Sequence, residues 1–333
     1  MNTTLSISEA KRLVATCLET NGCSPEVAAQ VAHVIVAAEA DGAPSHGLFR
    51  VPGYVASLRS GKVDGSAKPL VSQLAPSAMK VDGAGGFAPP ALAAARTEFI
   101  ALTRRSGIAA LAVTNVHHFS ALWTDLESIC SEGLCAMAFT GYLPFVAPAG
   151  GTKPLFGTNP MAFGWPRGDK GPMIFDQASS VQARGEIMLA ARDGHRLKEG
   201  VGIDENGQPS TDPNEVLKGA MLTFGGYKGS AIALMVELLA ASLIGEQFSY
   251  QAGETDNKDG GPPRGGELII AMDPVQLGAK GALDHAELIF GKITEQPGAR
   301  LPADRRYENR KRSALDGLTI PKAVIEKIDA LVG

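Results

Sequence analysis

The sequence predicts an α/β fold in which a helical N-terminal unit precedes a body of short strands alternating with helices. The first 60 residues carry capped, helically spaced apolar positions, and the chain from about residue 70 breaks into short strand-like runs separated by turns. The 39 glycines and 21 prolines among 333 residues supply more turns than a helical bundle uses, and an aromatic content of 6% argues against an all-β sandwich.

Ser6 and Glu9 have capping-box spacing before Leu13, Val14, Cys17 and Leu18, which predicts a helix near 6–20. Ser24 as cap with Pro25 at the first helical position predicts a second over 25–40. Ser45 is expected to cap a third, with Leu48, Val51, Tyr54, Val55 and Leu58 at helical spacing and Pro52 confined to its first turns or kinking it. The runs "AMKVDG", "IAALAVTN", "LCAMAFTG", "MAFGWP", "MIFDQAS" and "ELIIAMDP" then read as strands. Between and after them, helices are expected over 89–105, 119–131, 185–192, 229–243 and 321–331. "VGIDENGQPSTDPNEVLKG" reads as a polar surface excursion, and "RLPADRRYENRKR" as a charge-dense stretch. The expected division is a helical unit over 1–66 joined by 313–333, a substrate-side α/β domain over 67–120 with 299–312, and a nucleotide-binding domain over 121–298.

The 31 Lys+Arg and 35 Asp+Glu give a formal charge of -4, so no global field captures nucleic acid and any anion must be bound locally. Cys17, Cys23, Cys130 and Cys135 match no zinc or redox spacing and read as reduced core thiols, with no metal expected. "MNTTLSISEAKRL" has no basic segment followed by an apolar one, so neither a signal peptide nor an anchor is expected and the location reads as cytoplasmic. "SAIALMVELLAASLIG" is shorter than a membrane span and carries Glu237 at its middle, which predicts a buried core helix and no membrane partner.

In "APSHGLFRVPGY", a helix capped by Ser45 would put His46 and Arg50 on one face. An imidazole beside a guanidinium fork suits an acid/base catalyst acting on a small acid, while a capped surface helix with solvated charges accounts for the same residues. Gly83, Gly85 and Ala88 stand in G-x-G-x-x-A order between a strand and a helix. The next strand, "IAALAVTNVHH", ends without the acid a dinucleotide ribose requires, and Pro89 and Pro90 remove amides from the helix start. A glycine-rich turn is the better reading.

The stretches "SHGLFRVPGY", "NVHHFSALW", "KPLFGTNPMAFGWP", "FDQASSVQARGEI", "GIDENGQPSTDP" and "FGGYKGSAIALMVELLA" together resemble the malate/L-lactate dehydrogenase family of the non-Rossmann type. Within it, "HHFSALW" and "GGYKGSAIALMVELLA" look most like the bacterial Δ1-piperideine-2-carboxylate/Δ1-pyrroline-2-carboxylate reductases. The resemblance implies a homodimeric α/β enzyme with a largely antiparallel nucleotide-binding sheet. It also implies NADPH, or NADH, as reductant for a small cyclic imino acid, with a malate- or lactate-type 2-hydroxy acid dehydrogenase as the alternative.

By the same resemblance Ser45 is a relay residue, His46 the proton donor and Glu186 their carboxylate partner, a Glu where Asp is expected in close relatives. Arg50, Thr158 and Arg184 match substrate contacts. Cofactor contacts fall on His118, Phe119, Ser120, Ala121 and Leu122, where a helix start offers amides to phosphate or ribose oxygens. They also fall on Asp176, Gln177 and Ala178 at a strand end, on Tyr227 and Lys228 after the glycine pair, and on Arg305 and Arg306 for an NADP 2′-phosphate. His33, His195 and His285 have no partner pattern and receive no role.

Overall fold

The computed structural model describes residues 2–278 and 280–332. The chain opens with β1 (Asn2–Leu5), α1 (Ile7–Thr20), α2 (Pro25–Ala40) and α3 (Val51–Arg59). It continues through β2 (Leu70–Ala75), β3 (Ala78–Phe87), α4 (Ala88–Ser106), β4 (Ile108–His117), α5 (Leu122–Ser131), β5 (Cys135–Thr140), β6 (Met161–Arg167), β7 (Lys170–Gln177) and α6 (Arg184–Asp193). A small annex follows, with β8 (Gly202–Ile203), β9 (Pro209–Ser210), α7 (Pro213–Lys218) and β10 (Ala220–Met221). The last elements are α8 (Tyr227–Ala240), α9 (Ser249–Thr255), β11 (Arg264–Met272), α10 (Ala282–Thr294), α11 (Asp304–Asp316), β12 (Leu318–Pro321) and α12 (Lys322–Val332).

The expected capping box holds: the Glu9 amide donates to Ser6 Oγ at 3.2 Å while the Ser6 amide donates to Glu9 Oε2 at 2.8 Å. Ser24 caps α2 above Pro25 as read. Ser45 does not cap a helix. Pro44–His46 and Leu48–Arg50 form two 3₁₀ turns, and α3 begins only at Val51, because Pro52 lacks the amide an interior helical position would use and fits the first turn. Val14, Val31, Ile35, Tyr54 and Val55 of the N-terminal helices share one core with Leu318, Ile320 and Ile328, and β1 pairs antiparallel with β12.

The body is one seven-stranded sheet in the order β2-β3-β4-β11-β5-β6-β7. Only β3 and β4 run parallel, with α4 as the crossover; the other five neighbouring pairs are antiparallel. Gly83 and Gly85 lie inside β3 rather than in the glycine-rich turn expected from the sequence, and a Cβ on Gly83 would overlap the Val116 side chain, so this glycine serves strand packing. The strands of 67–120 (β2, β3 and β4) and those of 121–298 (β11, β5, β6 and β7) lie side by side and join at the β4–β11 pair, so the two segments share one continuous sheet. All four cysteines are free and buried.

Two expectations are corrected here. The α8 stretch is not a fully buried core helix: only 33% of Tyr227–Ile244 is buried, with Leu234, Met235, Leu238 and Leu243 exposed, although Glu237 is inside and accepts from Asn159 Nδ2 at 2.8 Å and the Ser249 amide at 2.9 Å. The charge-dense run "RLPADRRYENRKR", where no helix was expected, is mostly α11, whose Arg310 clamps two acids. Arg310 Nε donates to Asp41 Oδ1 at 2.8 Å and Nη2 to Glu127 Oε2 at 2.9 Å, while Trp123 Nε1 donates to Asp41 Oδ2 at 3.1 Å. The Asp41 carboxylate is wholly buried.

Arg310→Ala should therefore destabilise the protein by roughly 3 kcal/mol, since it strands a buried carboxylate while the arginine itself reaches solvent. Urea denaturation would measure this, and a loss below about 1 kcal/mol would mean that Trp123 alone satisfies Asp41.

Candidate active site

A cavity of about 200 Å³ opens where the ends of β4, β5 and β7 meet the two 3₁₀ turns and the start of α6. Ser45, His46 and Arg50 line one side, and Thr158, Arg184 and Gly185 the other. The Arg50 Nε donates to the Ser45 carbonyl at 2.6 Å, so a cross-turn hydrogen bond, rather than a shared helical face, gathers the opening motif. Gly185 packs against it: an added Cβ would lie 3.0 Å from Ser45 Cβ.

Neither Arg50 nor Arg184 forms an ion pair among the described residues. Both lie on aromatic rings, Arg50 4.8 Å from the Phe119 centroid and Arg184 3.4 Å from that of Phe145. Burial, with the neighbouring Arg50, brings Arg184 down to about 10, which leaves it charged at neutral pH. Two acid-free guanidiniums in one small cavity have the charge and the donors to suit a carboxylate.

The two cavity histidines have opposite charge states. Burial, reinforced by Arg50 and His118, lowers His46 to about 3, so its imidazole is neutral, and its Nδ1 has no partner among the described residues. Burial would lower His118 as well, but the facing Asp125 and Glu267 carboxylates outweigh it and raise the group to about 10. Its Nε2 stands 3.4 Å from Asp125 Oδ2 and 3.4 Å from Glu267 Oε2. Glu267 is raised to about 7 by its own burial and by Asp125. His117 faces Pro262, whose carbonyl lies 3.2 Å from Nδ1, and burial lowers it to about 4. Sequence reasoning missed Asp125 and Glu267; the one signal was an acid inside the apolar run "ELIIAM".

Asp176 ends β7 at the amino end of α5, where its Oδ2 accepts from the Trp123 amide at 3.3 Å; burial raises it to about 6. The Leu122 amide, one of those expected to hold cofactor oxygens, is also engaged by this carboxylate. His118, Phe119 and Ser120 line the cavity together with Asp176, Gln177 and Ala178, whereas Ala121 and Leu122 are buried outside its lining. The Ser120 hydroxyl is buried without a partner. An unpartnered hydroxyl in a lining that also holds Phe119, Trp123 and Pro160 fits a polar-edged ring such as nicotinamide.

Glu186 does not join His46. On α6 Gly185 and Ile187 are buried, so the intervening Glu186 is turned to solvent outside the cavity lining. Tyr227 and Lys228 are exposed at the start of α8 after Gly225 and Gly226, whose φ values are +57° and +60°. Arg306 is spread over the Trp123 ring at 4.7 Å and donates to the Ile174 carbonyl, while Arg305 is exposed; neither lines the cavity.

The malate/L-lactate dehydrogenase family model matches residues 5–329. The chain is 46% identical to the Δ1-pyrroline-2-carboxylate reductase of Ancylobacter novellus, over 98% of this chain and 97% of that protein. It is also 46% identical to the Δ1-pyrroline-2-carboxylate/Δ1-piperideine-2-carboxylate reductase of Pseudomonas aeruginosa, over 98% and 99%. The crystal structure of Δ1-piperideine-2-carboxylate reductase from Pseudomonas syringae superposes with a TM-score of 0.95 at 42% identity, covering 99% of both chains.

A histidine depressed to about 3 binds fewer protons folded than unfolded below its ordinary 6.5, so its contribution to stability is intact above that value and lost as pH falls through it. By pH 4 the wild type should have lost roughly 3 kcal/mol relative to His46→Gln, which has no group to titrate. Paired denaturation curves at pH 7 and pH 4 would measure this; parallel curves would show that His46 is not buried neutral.

Proposed function

The chain belongs to the malate/L-lactate dehydrogenase family of oxidoreductases, and from that premise we propose that it reduces cyclic α-imino acids, Δ1-pyrroline-2-carboxylate to L-proline and Δ1-piperideine-2-carboxylate to L-pipecolate, with NADPH as the preferred reductant. The observation that carries this reading is the pairing of two acid-free arginines with a buried, unpartnered imidazole in one cavity.

Arg50 and Arg184 hold the substrate carboxylate, with Thr158 beside it, and so fix the adjacent C=N carbon. The nicotinamide cofactor, when bound against Ser120 and the aromatic wall, supplies the hydride for that carbon. Gln177, Ala178 and Asp176 form the facing edge. His46 serves the ring nitrogen. Arg50 is one of the charges that hold its imidazole neutral, so a bound carboxylate that offsets this guanidinium lets His46 take up the proton that it then passes on. Ser45, adjacent in the turn, orients the ring, and Phe119 and Tyr142, stacked at 6.0 Å between centroids, keep water out.

The exposed apolar row Leu234, Met235 and Leu238 on α8 supports a homodimer, since a second copy would cover it and bring chain to the exposed Tyr227 and Lys228. Four free, buried thiols suit a reducing cytoplasm.

An NADPH-oxidation assay with the two cyclic imines, pyruvate and oxaloacetate side by side tests the assignment. Both imines should turn over, with kcat/KM at least about 100-fold above either keto acid, a difference of roughly 2.7 kcal/mol. A keto acid preferred over both imines would make this a 2-hydroxy acid dehydrogenase. In the same assay His46→Gln should lower kcat by about 10²–10⁴ while cofactor binding persists.

Arg305→Ala should weaken NADPH about 5- to 10-fold and leave NADH within twofold, because its guanidinium is free at the surface whereas Arg306 is engaged by Trp123 and Ile174. Equal weakening of both cofactors would remove Arg305 from 2′-phosphate recognition.

A further inference from the structure

Beneath the cavity wall, His118, Asp125 and Glu267 form the only group of three His, Cys, Asp or Glu donors within 4.8 Å of one another among the described residues. All three are at least nine-tenths buried, and His118 Nε2, Asp125 Oδ2 and both Glu267 oxygens lack a well-aligned hydrogen-bond partner. The three come from separate elements: His118 from the end of β4, Asp125 from α5, and Glu267 from β11 at the centre of the sheet. An isolated carboxylate in such a place is costly, and two together more so. The imidazole edge facing both, at 3.4 Å, is what offsets them.

We propose that His118 is a fixed cation of this cavity, a third anion-binding group beside Arg50 and Arg184, and that Asp125 and Glu267 are the positioning residues that keep it protonated. The inference rests on reading the cavity as a carboxylate-substrate site. One ring nitrogen is turned to the two acids. The ring lines the cavity, and with Nε2 committed to the acids, the remaining N–H of the imidazolium, on Nδ1, is the donor left for a ligand. The arrangement is a short dipole with its positive end in the cavity and its negative end in the sheet. The groups that face it are Asp125 and Glu267, then His46 and Arg50 from the 3₁₀ turns, Asp176 of β7 across from Glu267, and Tyr54 of α3 near Asp125. Burial opposes the charge on His118, the neutral His46 adds none, and the two carboxylates outweigh the burial. The assignment gives His118 a side-chain role distinct from a backbone contact to cofactor, and gives two residues outside the cavity control over the pH range of substrate binding.

Pyrrole-2-carboxylate is a suitable probe: it is a flat five-membered ring with a carboxylate and no reducible C=N bond, so its binding by calorimetry reports recognition without turnover. In the native protein, binding should persist to above pH 9, and imidazole ¹⁵N spectra should show one of the six histidines still doubly protonated at pH 8.5, absent in His118→Gln. Glu267→Gln should move the alkaline loss of binding down by at least one pH unit while affinity at pH 6 stays within about threefold; Asp125→Asn should move it in the same direction. A purely structural role would lower the melting temperature of either variant and leave the midpoint in place. The proposal is overturned by a native protein with no charged imidazole at pH 8.5, by an unmoved midpoint in a folded variant, or by one equivalent of a divalent metal in the purified protein. If cyclic imines are not reduced but the probe binds with this titration, the substrate reading fails and the role of His118 stands.

Discussion

The placement of β11 between β4 and β5 is the constraint from which the site follows. A strand from late in the chain, antiparallel to both neighbours, closes the middle of the sheet through pairs such as Ile269 with Leu111 on one side and Ala138 on the other. Without it the β4 and β5 segments have no shared edge, and their ends do not converge. The same insertion brings Glu267 into register with Val113 and Thr140, below His118 at the point where β4 gives way to α5. An apolar residue there would serve the sheet at least as well. The buried acid is therefore better understood as serving the cavity above it.

Acids near the cavity are each committed elsewhere, and this is what leaves the arginines available. Asp176 accepts from the first turn of α5, Asp125 and Glu267 face His118, and Asp41 is held by Arg310 and Trp123. Glu39, on α2, accepts the Leu48 amide at 2.9 Å and so pins the second 3₁₀ turn; Gly47 is required there because a Cβ would collide with the Glu39 carboxylate. Only after these pairings are made do Arg50 and Arg184 lack counter-ions. A cavity so arranged is unfavourable when empty and favourable when an anion enters, which is how a site gains affinity without a large contact area.

Local signals in the sequence were read where the physics is local. Ser6 with Glu9 and Ser24 with Pro25 mark α1 and α2, and the alternating runs mark the strands, because caps and side-chain periods depend on a few neighbours. Ser45 misled, since Pro52 a turn later decides where the helix can begin. The short edge pair β1–β12 and the helix in the arginine-rich run were not read, as the first pairs residues some 315 apart in sequence and the second is held by tertiary ion pairs rather than by an apolar face. At the site, resemblance supplied His46, Arg50, Thr158, Arg184 and the residues around Phe119 and Asp176, and the cavity gathers them. It also supplied Glu186, Tyr227, Lys228, Arg305 and Arg306, which lie outside that lining. Asp125 and Glu267 became visible only once three distant elements were in one place.

The charge balance of the cavity also bears on the form in which a cyclic imine enters. With Arg50 and Arg184 free of acids and His118 held by two, the cavity favours a ligand with net negative charge. A neutral imine bearing a carboxylate has that charge, whereas the protonated iminium form is a zwitterion whose cationic nitrogen would face like charges. The nitrogen is therefore best protonated after binding, when its own carboxylate has offset the guanidiniums. The neutral state of His46 in the free protein then has a purpose: an imidazolium already present would add a fourth positive charge where the ring nitrogen must sit. In the proposed mechanism the acid is loaded by the substrate that uses it, and a ligand lacking the carboxylate leaves His46 neutral and the reaction without its proton.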